Sequence, residues 1–380
     1  MKSLSTRVPS MMLAAVFAAL SAQAVMAQAG DTPVRINQIQ VIGSHNSYHA
    51  GLLPGIAKLL EAKNPEVFRT LDYSHPPLEV QLDHGIRQIE LDIYADSKGG
   101  LYAHPFGPKL VAEAGLPADP DPYPHGEMLQ PGFKVMHVQD IDYASNCQPF
   151  ITCLRIVKQW SEAHPAHVPI FILVETVQEV PDDKLPWTKP EAFTPALFDA
   201  LDAEIRSVFH DSEMITPDQV RGRSATLNAS ILHHGWPTLK QARGKVIFLM
   251  DQKPVGPIYL QGHPGLRGRV LFTNATPGDP DAAFVEQNDD SAKQINALVR
   301  QGYLVRARAD EDTVQARTND TRRRDEVMRS GAQMISTDYP AAEPSRWTKY
   351  SVALPGDAAA RCNPVNAPAH CVDAQMEAPR

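Results

Sequence analysis

Short apolar runs with strand character alternate with amphipathic helical patterns along the chain, and this alternation constrains the fold more than any other feature. The strand runs lie at 39–43, 88–94, 134–138, 169–175, 245–250, 270–274, 304–308 and 334–337. Apolar residues spaced three and four apart predict helices at 76–84, 150–162, 191–209, 289–301 and 321–330. The runs FILVE and VIFLM are almost continuously apolar, which is typical of strands covered on both faces.

Eight strands with helical connections are the number found in a (β/α)8 barrel. We therefore predict an α/β fold, a distorted TIM-type barrel forming a single domain over residues 31–340, with a doubly wound sheet as the alternative. Three prolines within 251–269 exclude a regular helix from that connection. The proline-rich segment 105–132 is predicted to be a loop insertion over one end of the barrel, and 341–380 a C-terminal tail.

Residues 1–27 have the pattern of a signal peptide. Lys2 and Arg7 precede an apolar run at 11–20, and 25–27 read Val-Met-Ala, a small-residue cleavage pattern. We therefore expect cleavage near Ala27 and a secreted or periplasmic protein.

Export permits disulfides, and the four cysteines occur as two close pairs. These are Cys147 with Cys153 and Cys362 with Cys371. Pairing of neighbours is expected, which gives the tail a disulfide, although four cysteines allow three connectivities. A zinc site is the rival interpretation, but no C-x-x-C spacing supports it.

The charge balance narrows the class of partner. The formal net charge of −8 argues against nucleic acid, whose binding proteins carry a basic surface. The same acidic balance provides no attraction to anionic lipid.

Polar side chains occur at the ends of the first four strand runs. In a barrel, the carboxyl ends of the strands converge on one face, where such enzymes place their chemistry. The residues, in chain order, are His45, Asn46, Glu90, Asp92, His137 and Glu175. Any one of them alone has an ordinary structural explanation, so the prediction of a site depends on their joint placement.

The residue types in this set suit one kind of chemistry. Four of them, Asn46, Glu90, Asp92 and Glu175, offer the hard oxygen ligands that Ca²⁺ or Mg²⁺ prefers. Crowded carboxylates repel one another unless a cation neutralises them. Two histidines outside the metal shell suit a general acid and a donor to developing negative charge. The set predicts metal-assisted phosphoryl transfer or phosphodiester cleavage.

Several strings resemble a known family. IGSHNSYH (42–49), GIRQIELDIY (85–94), a strand ending at His137 and FILVE (171–175) resemble the catalytic X region of phosphatidylinositol-specific phospholipases C. KVMHVQDIDYASNC, QWSEAHP and SGAQMISTDYP resemble the bacterial calcium-dependent phosphoinositide phospholipase C group, and the resemblance covers about residues 36–340. It implies a distorted (β/α)8 barrel.

The resemblance also implies roles for individual residues. His45 would stabilise the pentacoordinate phosphorus, and His137 would protonate the leaving diacylglycerol oxygen. Either Glu90 or Glu175 would take the proton of the inositol 2-hydroxyl, giving diacylglycerol and a cyclic inositol phosphate. The implied calcium ligands are Asn46, Glu90, Asp92 and Glu175, and Mg²⁺ is the alternative ion.

The chain departs from the family pattern at the fifth strand. Met250 and Gln252 stand where phosphoinositide-selective enzymes carry lysines, which argues against a polyphosphorylated headgroup. Arg306 and Arg308 are candidate substrate contacts, although pairing with Asp310 at the barrel rim explains them equally well.

The choice of the acid histidine also departs from the family spacing. Counted from Asp92, His104 lies nearest the eukaryotic spacing, and it is kept as a candidate substrate contact. His137 is preferred as the acid because it follows a strand and precedes Glu175 by a full helix.

Two other functions use related features. A glycerophosphodiester phosphodiesterase shares the Glu-Leu-Asp strand but usually has His-Arg-Gly at the first strand, where this chain has His45 and Asn46. A catalytically silent envelope binding protein would require a lost metal site.

The leucine-rich segment 49–60 suits either transient contact with a membrane surface or packing on the barrel wall. The expected partner is a phosphoinositide-like or other phosphodiester substrate, with no obligate protein partner.

Overall fold

The computed structural model describes residues 33–182 and 184–377, and the predicted signal peptide at 1–27 lies outside them. Its strands are β1 Ile39–Ser44, β2 Gln88–Asp96, β3 Gly132–Val135, β4 Ile170–Thr176, β5 Val246–Met250, β6 Phe284–Glu286, β7 Leu304–Arg308, β8 Met334–Thr337 and β9 Ala360–Cys362. Seven of them run parallel in the order β5-β4-β2-β1-β8-β7-β6. Their residues are almost all buried, because helices cover the outside of the ring.

The ring of parallel strands is nearly closed by the segment 270–275. The Phe272 amide donates to the Phe248 carbonyl oxygen, and the Met250 amide donates to the Phe272 carbonyl oxygen. On its other side, the Ala275 amide donates to the carbonyl oxygen of Phe284 in β6. This segment bridges the two edge strands, so the distorted TIM-type barrel is confirmed and the open doubly wound sheet is wrong.

One predicted strand needs correction, and one strand of the ring was not predicted. The run at 134–138, expected as the third parallel strand, forms β3 at Gly132–Val135 and pairs antiparallel with the second half of β2. The parallel ring instead includes β6, which the sequence analysis did not predict. Three residues between loops are too few to show a strand period, so only pairing with β7 reveals this strand.

The helices are α1 Pro54–Lys63, α2 Pro65–Thr70, α3 Leu78–Asp83, α4 Gly107–Glu113, α5 Phe150–Ala163, α6 Pro195–Val208, α7 Pro217–Arg221, α8 Leu227–His233, α9 Leu239–Ala242, α10 Gly256–Tyr259, α11 Ala292–Gln301, α12 Val314–Thr318 and α13 Arg322–Ser330. Local sequence explains their ends. The Thr194 side chain accepts from the Leu197 amide ahead of α6, and Ser291 forms a capping box with Gln294 at α11. Gly302, with φ 105°, ends α11 because a left-handed residue there costs glycine little.

The proline-rich segments behave as loops with short helical turns. The 251–269 connection contains only α10 and a 3-10 turn at Pro264–Leu266, as its prolines predict. The 105–132 insertion contains α4 and a 3-10 turn at Glu127–Leu129. None of the helices in the described parts of the chain has the length and apolarity needed to span a bilayer.

Both expected disulfides are present, Cys147–Cys153 and Cys362–Cys371, so neighbouring cysteines pair and the zinc interpretation is wrong. The segment predicted as a tail adds β9, which pairs antiparallel with β1. The Cys362–Cys371 bond therefore closes a loop that begins at this strand. The division at residue 340 stays a prediction from the sequence.

Candidate active site

His45 follows β1 and pairs with a residue that follows β8. Because β1 and β8 are adjacent, with Ser44 opposite Thr337, the next residues on each strand meet. The His45 Nδ1 atom lies 2.7 Å from Asp338 Oδ1, and its Nε2 atom lies 3.6 Å from Glu90 Oε1. Burial, with the nearby charge of Arg308, lowers the pKa of His45 despite its two acidic neighbours. Asp338 was not predicted as a site residue.

Asn46, one of the four predicted metal ligands, lies in a left-handed conformation with φ 46°. Its Nδ2 donates to the Tyr73 hydroxyl over 2.8 Å, while its Oδ1 is buried and has no hydrogen-bond partner. Asp92 is arranged in the same way, since one carboxylate oxygen accepts from the Tyr48 hydroxyl over 2.6 Å and the other is buried and unpartnered. Buried oxygens normally have partners, so these two fit ligands of a cation.

Three carboxylates form a cluster at this end of the barrel. Glu90, Glu175 and Asp251 each contribute an oxygen, and the three atoms lie within 4.8 Å of one another. Burial and then repulsion from Glu90 raise the pKa of Glu175 to about 7. Burial also raises the pKa of Asp92, with further increases from Glu175 and Glu90. A divalent cation would neutralise this repulsion, so the donor set fits calcium.

Asp251 is a member of this cluster that the sequence analysis missed. It directly follows β5, and its amide donates to the Val174 carbonyl oxygen on the neighbouring β4. Burial and the nearby Glu286 raise the pKa of Asp251. The signal was available, because a carboxylate immediately after a buried strand run meets the same criterion that selected Glu175.

Arg306 is the middle residue of β7, lies inside the barrel and is 1% exposed. One guanidinium nitrogen donates to Glu90, and another donates to Glu286 and to Asn288 Oδ1. These pairs account for its position without a substrate.

Arg308 lies on the same strand, nearer to the solvent. Its Nη2 is 3.6 Å from Asp338 Oδ2, and its Nε donates to the Asp310 carbonyl oxygen. The rim pairing expected with Asp310 thus involves that residue's backbone, and the carboxylate facing Arg308 is that of Asp338.

His137 follows β3, where a tight turn returns the chain so that Asp142 faces it. The Val138 and Asp142 backbones exchange hydrogen bonds across this turn. His137 Nδ1 lies 2.8 Å from Asp142 Oδ2, and the side chain is 23% exposed. Burial alone would lower the pKa of His137, but the hydrogen bond and charge of Asp142 raise it above its ordinary value. Asp142 lies within the KVMHVQDIDYASNC string but was not singled out.

His104 is not brought to this cluster. It is exposed and lines a pocket of about 560 Å³ in the proline-rich insertion, with neighbours that include Tyr102, Tyr123 and Pro124. It forms no hydrogen bond or ion pair with the strand-end residues among the described parts of the chain.

A second pocket, of about 430 Å³, lies beside the catalytic face. Asp338 and Tyr73 contribute to its wall, together with apolar side chains that include Leu52, Phe68 and Trp347. Part of the leucine-rich segment 49–60 forms the start of α1, and its leucines are half-buried.

A nearly closed α/β barrel whose carboxyl-end face gathers buried carboxylates and two carboxylate-paired histidines defines the class of phosphodiesterases built on TIM-type barrels. Residues 34–364 match the family described as phosphoinositide phospholipase C, Ca²⁺-dependent. The chain belongs to this family, and it is an enzyme, a phosphodiesterase of the phospholipase C type.

Two solved structures of one Pseudomonas enzyme agree on the fold. The calcium-dependent phosphoinositol-specific phospholipase C of a Gram-negative Pseudomonas sp. is 14% identical, with a TM-score of 0.51 over 87% of this chain and 95% of that chain. Its myoinositol complex has the same identity and TM-score, covering 87% and 96%. A Ca²⁺-dependent enzyme from Streptomyces antibioticus is 18% identical, with a TM-score of 0.46 over 80% and 95%. No curated protein matches the chain.

Proposed function

We propose that this enzyme cleaves the glycerol–phosphate bond of a phosphatidylinositol-like lipid, giving diacylglycerol and a cyclic inositol phosphate. One observation carries the proposal. Two histidines, each paired with a carboxylate, lie on the same barrel face as buried oxygens that are suited to bind a cation. The family match and the myoinositol complex of the similar Pseudomonas enzyme support an inositol headgroup. Attack by a hydroxyl of the same molecule brings a large proximity advantage.

Calcium would be held by Asn46, Glu90, Asp92 and Glu175. We propose Asp251 as a further ligand, since it clusters with Glu90 and Glu175. When bound, the ion reduces the negative charge on the phosphate and makes the attacking hydroxyl more acidic. The family description names calcium, and nothing in the site favours magnesium over it.

We assign acceptance of the 2-hydroxyl proton to Glu175. Of the two glutamates that the sequence suggested, Glu90 accepts a charged hydrogen bond from Arg306, which occupies its Oε2 atom. His45 is the alternative acceptor of this proton. When it is neutral and donates Nδ1–H to Asp338, its Nε2 atom can accept.

His45 would stabilise the phosphorus centre as an imidazolium. In that form Nδ1–H donates to Asp338 and Nε2–H is available to a phosphoryl oxygen. A phosphodiester anion bound beside the ring would favour the charged form, since a nearby opposite charge raises a histidine pKa.

His137 would protonate the leaving glycerol oxygen. Asp142 accepts from Nδ1, so the donor left for a substrate is Nε2–H on the partly exposed ring. An alkoxide is a poor leaving group in water, and protonation by a positioned acid typically contributes 10²–10⁴ in rate.

The headgroup is expected to carry few ring phosphates. The two terminal nitrogens of Arg306 pair with Glu90 and Glu286, and Arg308 lies against Asp338. Met250 and Gln252 stand at the positions where phosphoinositide-selective enzymes carry lysines.

The pocket beside Asp338 would receive part of the lipid, because apolar side chains line one side of it. Membrane contact would be transient, through the leucine-rich segment 49–60. We propose that this takes place outside the cytoplasm, as the two disulfides and the signal-like start suggest.

The test is hydrolysis of vesicles containing phosphatidylinositol, its mono- and bisphosphates, or phosphatidylcholine, with calcium and with a calcium chelator. Phosphorus NMR distinguishes a cyclic from an open-chain product. We expect calcium-dependent cyclic phosphate from phosphatidylinositol and little turnover of the bisphosphate. Release of glycerol 3-phosphate from glycerophosphodiesters would indicate the other barrel phosphodiesterase, and binding without product a silent protein.

A further inference from the structure

His49 closes the IGSHNSYH string and is one of its two histidines, and no role has been given to it so far. Its side chain is 0% exposed. The Nε2 atom lies 2.9 Å from Asp142 Oδ1 and 3.0 Å from Asp142 Oδ2. We propose that His49 is a positioning residue that holds the Asp142 carboxylate and, through it, the ring of the acid His137.

The carboxylate of Asp142 lies between the two histidines. His137 Nδ1 approaches Oδ2, whereas His49 Nε2 approaches both oxygens from another side. The two imidazole centroids are 5.5 Å apart at a steep angle. The carboxylate cannot rotate away from His137 without losing its hydrogen bonds to His49, so the geometry of the acid depends on both contacts.

The backbone of His49 joins the loops after β1 and β3. Its amide donates to the Asn46 carbonyl oxygen over 2.8 Å, and its own carbonyl oxygen accepts from the His75 amide over 2.8 Å. The residue also forms a bridge with Ser145, just beyond Asp142. The backbone of His49 is therefore anchored in the loop of the metal candidate Asn46, while its imidazole contacts Asp142, the partner of the acid.

A second side-chain contact leads to the metal candidates. The His49 ring lies 4.5 Å from the ring of Tyr73, whose hydroxyl accepts from Asn46 Nδ2. His49 thus touches both the residue that orients the acid and the residue that holds the Asn46 amide. Complete burial keeps it away from substrate, which distinguishes a positioning role from a catalytic one.

This inference depends on the proposed function, because it concerns protonation of an alkoxide leaving group. His49 donates Nε2–H to Asp142, Asp142 is anionic, and His137 is the cation that delivers the proton. The charged and titratable groups around the His137 ring are Asp142, His49, Glu175 and Asp338. Without the His49 contact, the Asp142 carboxylate lacks a hydrogen-bond donor on one side and can reorient.

The experiment compares two phosphodiesters in the presence of calcium, using the full chain. One is phosphatidylinositol, whose alkoxide must be protonated, and the other is a p-nitrophenyl ester of inositol phosphate, whose phenolate leaves without an acid. His49→Leu removes the donor, His49→Gln places an amide N–H near the position of Nε2, and His49→Asn falls short of it. His167→Leu is the matched control, since His167 is equally buried but bonds Ser161 and the Val168 carbonyl oxygen.

We expect His49→Leu and His49→Asn to lower kcat on phosphatidylinositol by about 10- to 100-fold, a part of what a general acid contributes. The change on the aryl ester should be about threefold or less, and His49→Gln should recover most of the loss. Combining His49→Leu with Asp142→Asn should cost little more than Asp142→Asn alone.

Three outcomes overturn the proposal. They are equal losses on both substrates, losses that multiply in the double variant, and a glutamine variant that behaves like the asparagine one. If His49→Leu does not fold, the comparison of Gln with Asn still decides. Absence of turnover by the unmodified enzyme on both substrates would instead refute the proposed function, so the two failures are distinguishable.

Discussion

The Nδ1 atom of His45 lies 2.7 Å from a carboxylate oxygen of Asp338, although 293 positions separate the two residues in the chain. The adjacency of the first and last barrel strands produces this contact. It determines which ring nitrogen of His45 faces Asp338 and which faces Glu90, and so gives the imidazole one orientation at the phosphate position.

Asp338→Asn should therefore lower kcat by about 100-fold, because the amide accepts more weakly from Nδ1 and no longer favours the imidazolium. Calcium dependence should change little. Steady-state kinetics on phosphatidylinositol checks this, with Asp320→Asn as control, since Asp320 pairs with Arg322 on an exposed surface. An unchanged kcat would remove His45 from the mechanism as we describe it.

Asp142 should set the alkaline limit of activity. His137 works in its protonated form, so the rate falls as pH rises through the pKa of His137, which Asp142 raises. In Asp142→Asn that pKa falls, and the alkaline limb of the kcat profile should move to lower pH. A limb that stays in place would assign it to another group, such as His45.

Asp251 should contribute to calcium affinity. Asp251→Asn removes one charge from the cluster formed with Glu90 and Glu175, so we expect the calcium concentration for half-maximal activity to rise about tenfold. The rate at saturating calcium should fall less. Titration of activity with buffered calcium measures both, and Asp289→Asn, an exposed carboxylate, is the control. An unaltered midpoint would exclude Asp251 as a ligand.

The tail disulfide should stabilise the fold without serving catalysis. Cys362→Ser combined with Cys371→Ser opens a short loop, for which loop-closure entropy predicts a loss of about 2–3 kcal/mol in the free energy of unfolding. Denaturant unfolding measures this, and kcat at 25 °C should remain within twofold. A large loss of activity in a folded variant would show that β9 supports the loop after β1.

The regular elements with strong periodicity were predictable from the chain alone. The long helices α5, α6, α11 and α13 match their predicted positions within a few residues, and the apolar runs FILVE and VIFLM form β4 and β5. Such segments carry their own signal, because the pattern of buried residues repeats within each one. Strand β6 carries none, since its three residues form a strand only through β7.

In the candidate site, too, some features were predictable from the sequence and others depend on the fold. The sequence identified residues by their position after a strand, and His45, Glu90, Glu175 and His137 lie at one end of the barrel. Arg306 also lies there, but its pairing with Glu90 and Glu286 depends on where three distant strands meet. His104 was suggested by spacing alone, and it lies just before the proline-rich insertion, where it lines a pocket formed with that segment.

The sequence by itself determined the alternation of strands and helices, the class of barrel and the residue types available at the strand ends, because those are local properties. Only the tertiary structure decided which partners those residues have. Asp338 orients His45, Asp142 orients His137, and His49 holds Asp142, each through a contact between separate loops. Hydrogen bonds of this kind depend on strand order and loop path, which no local pattern contains.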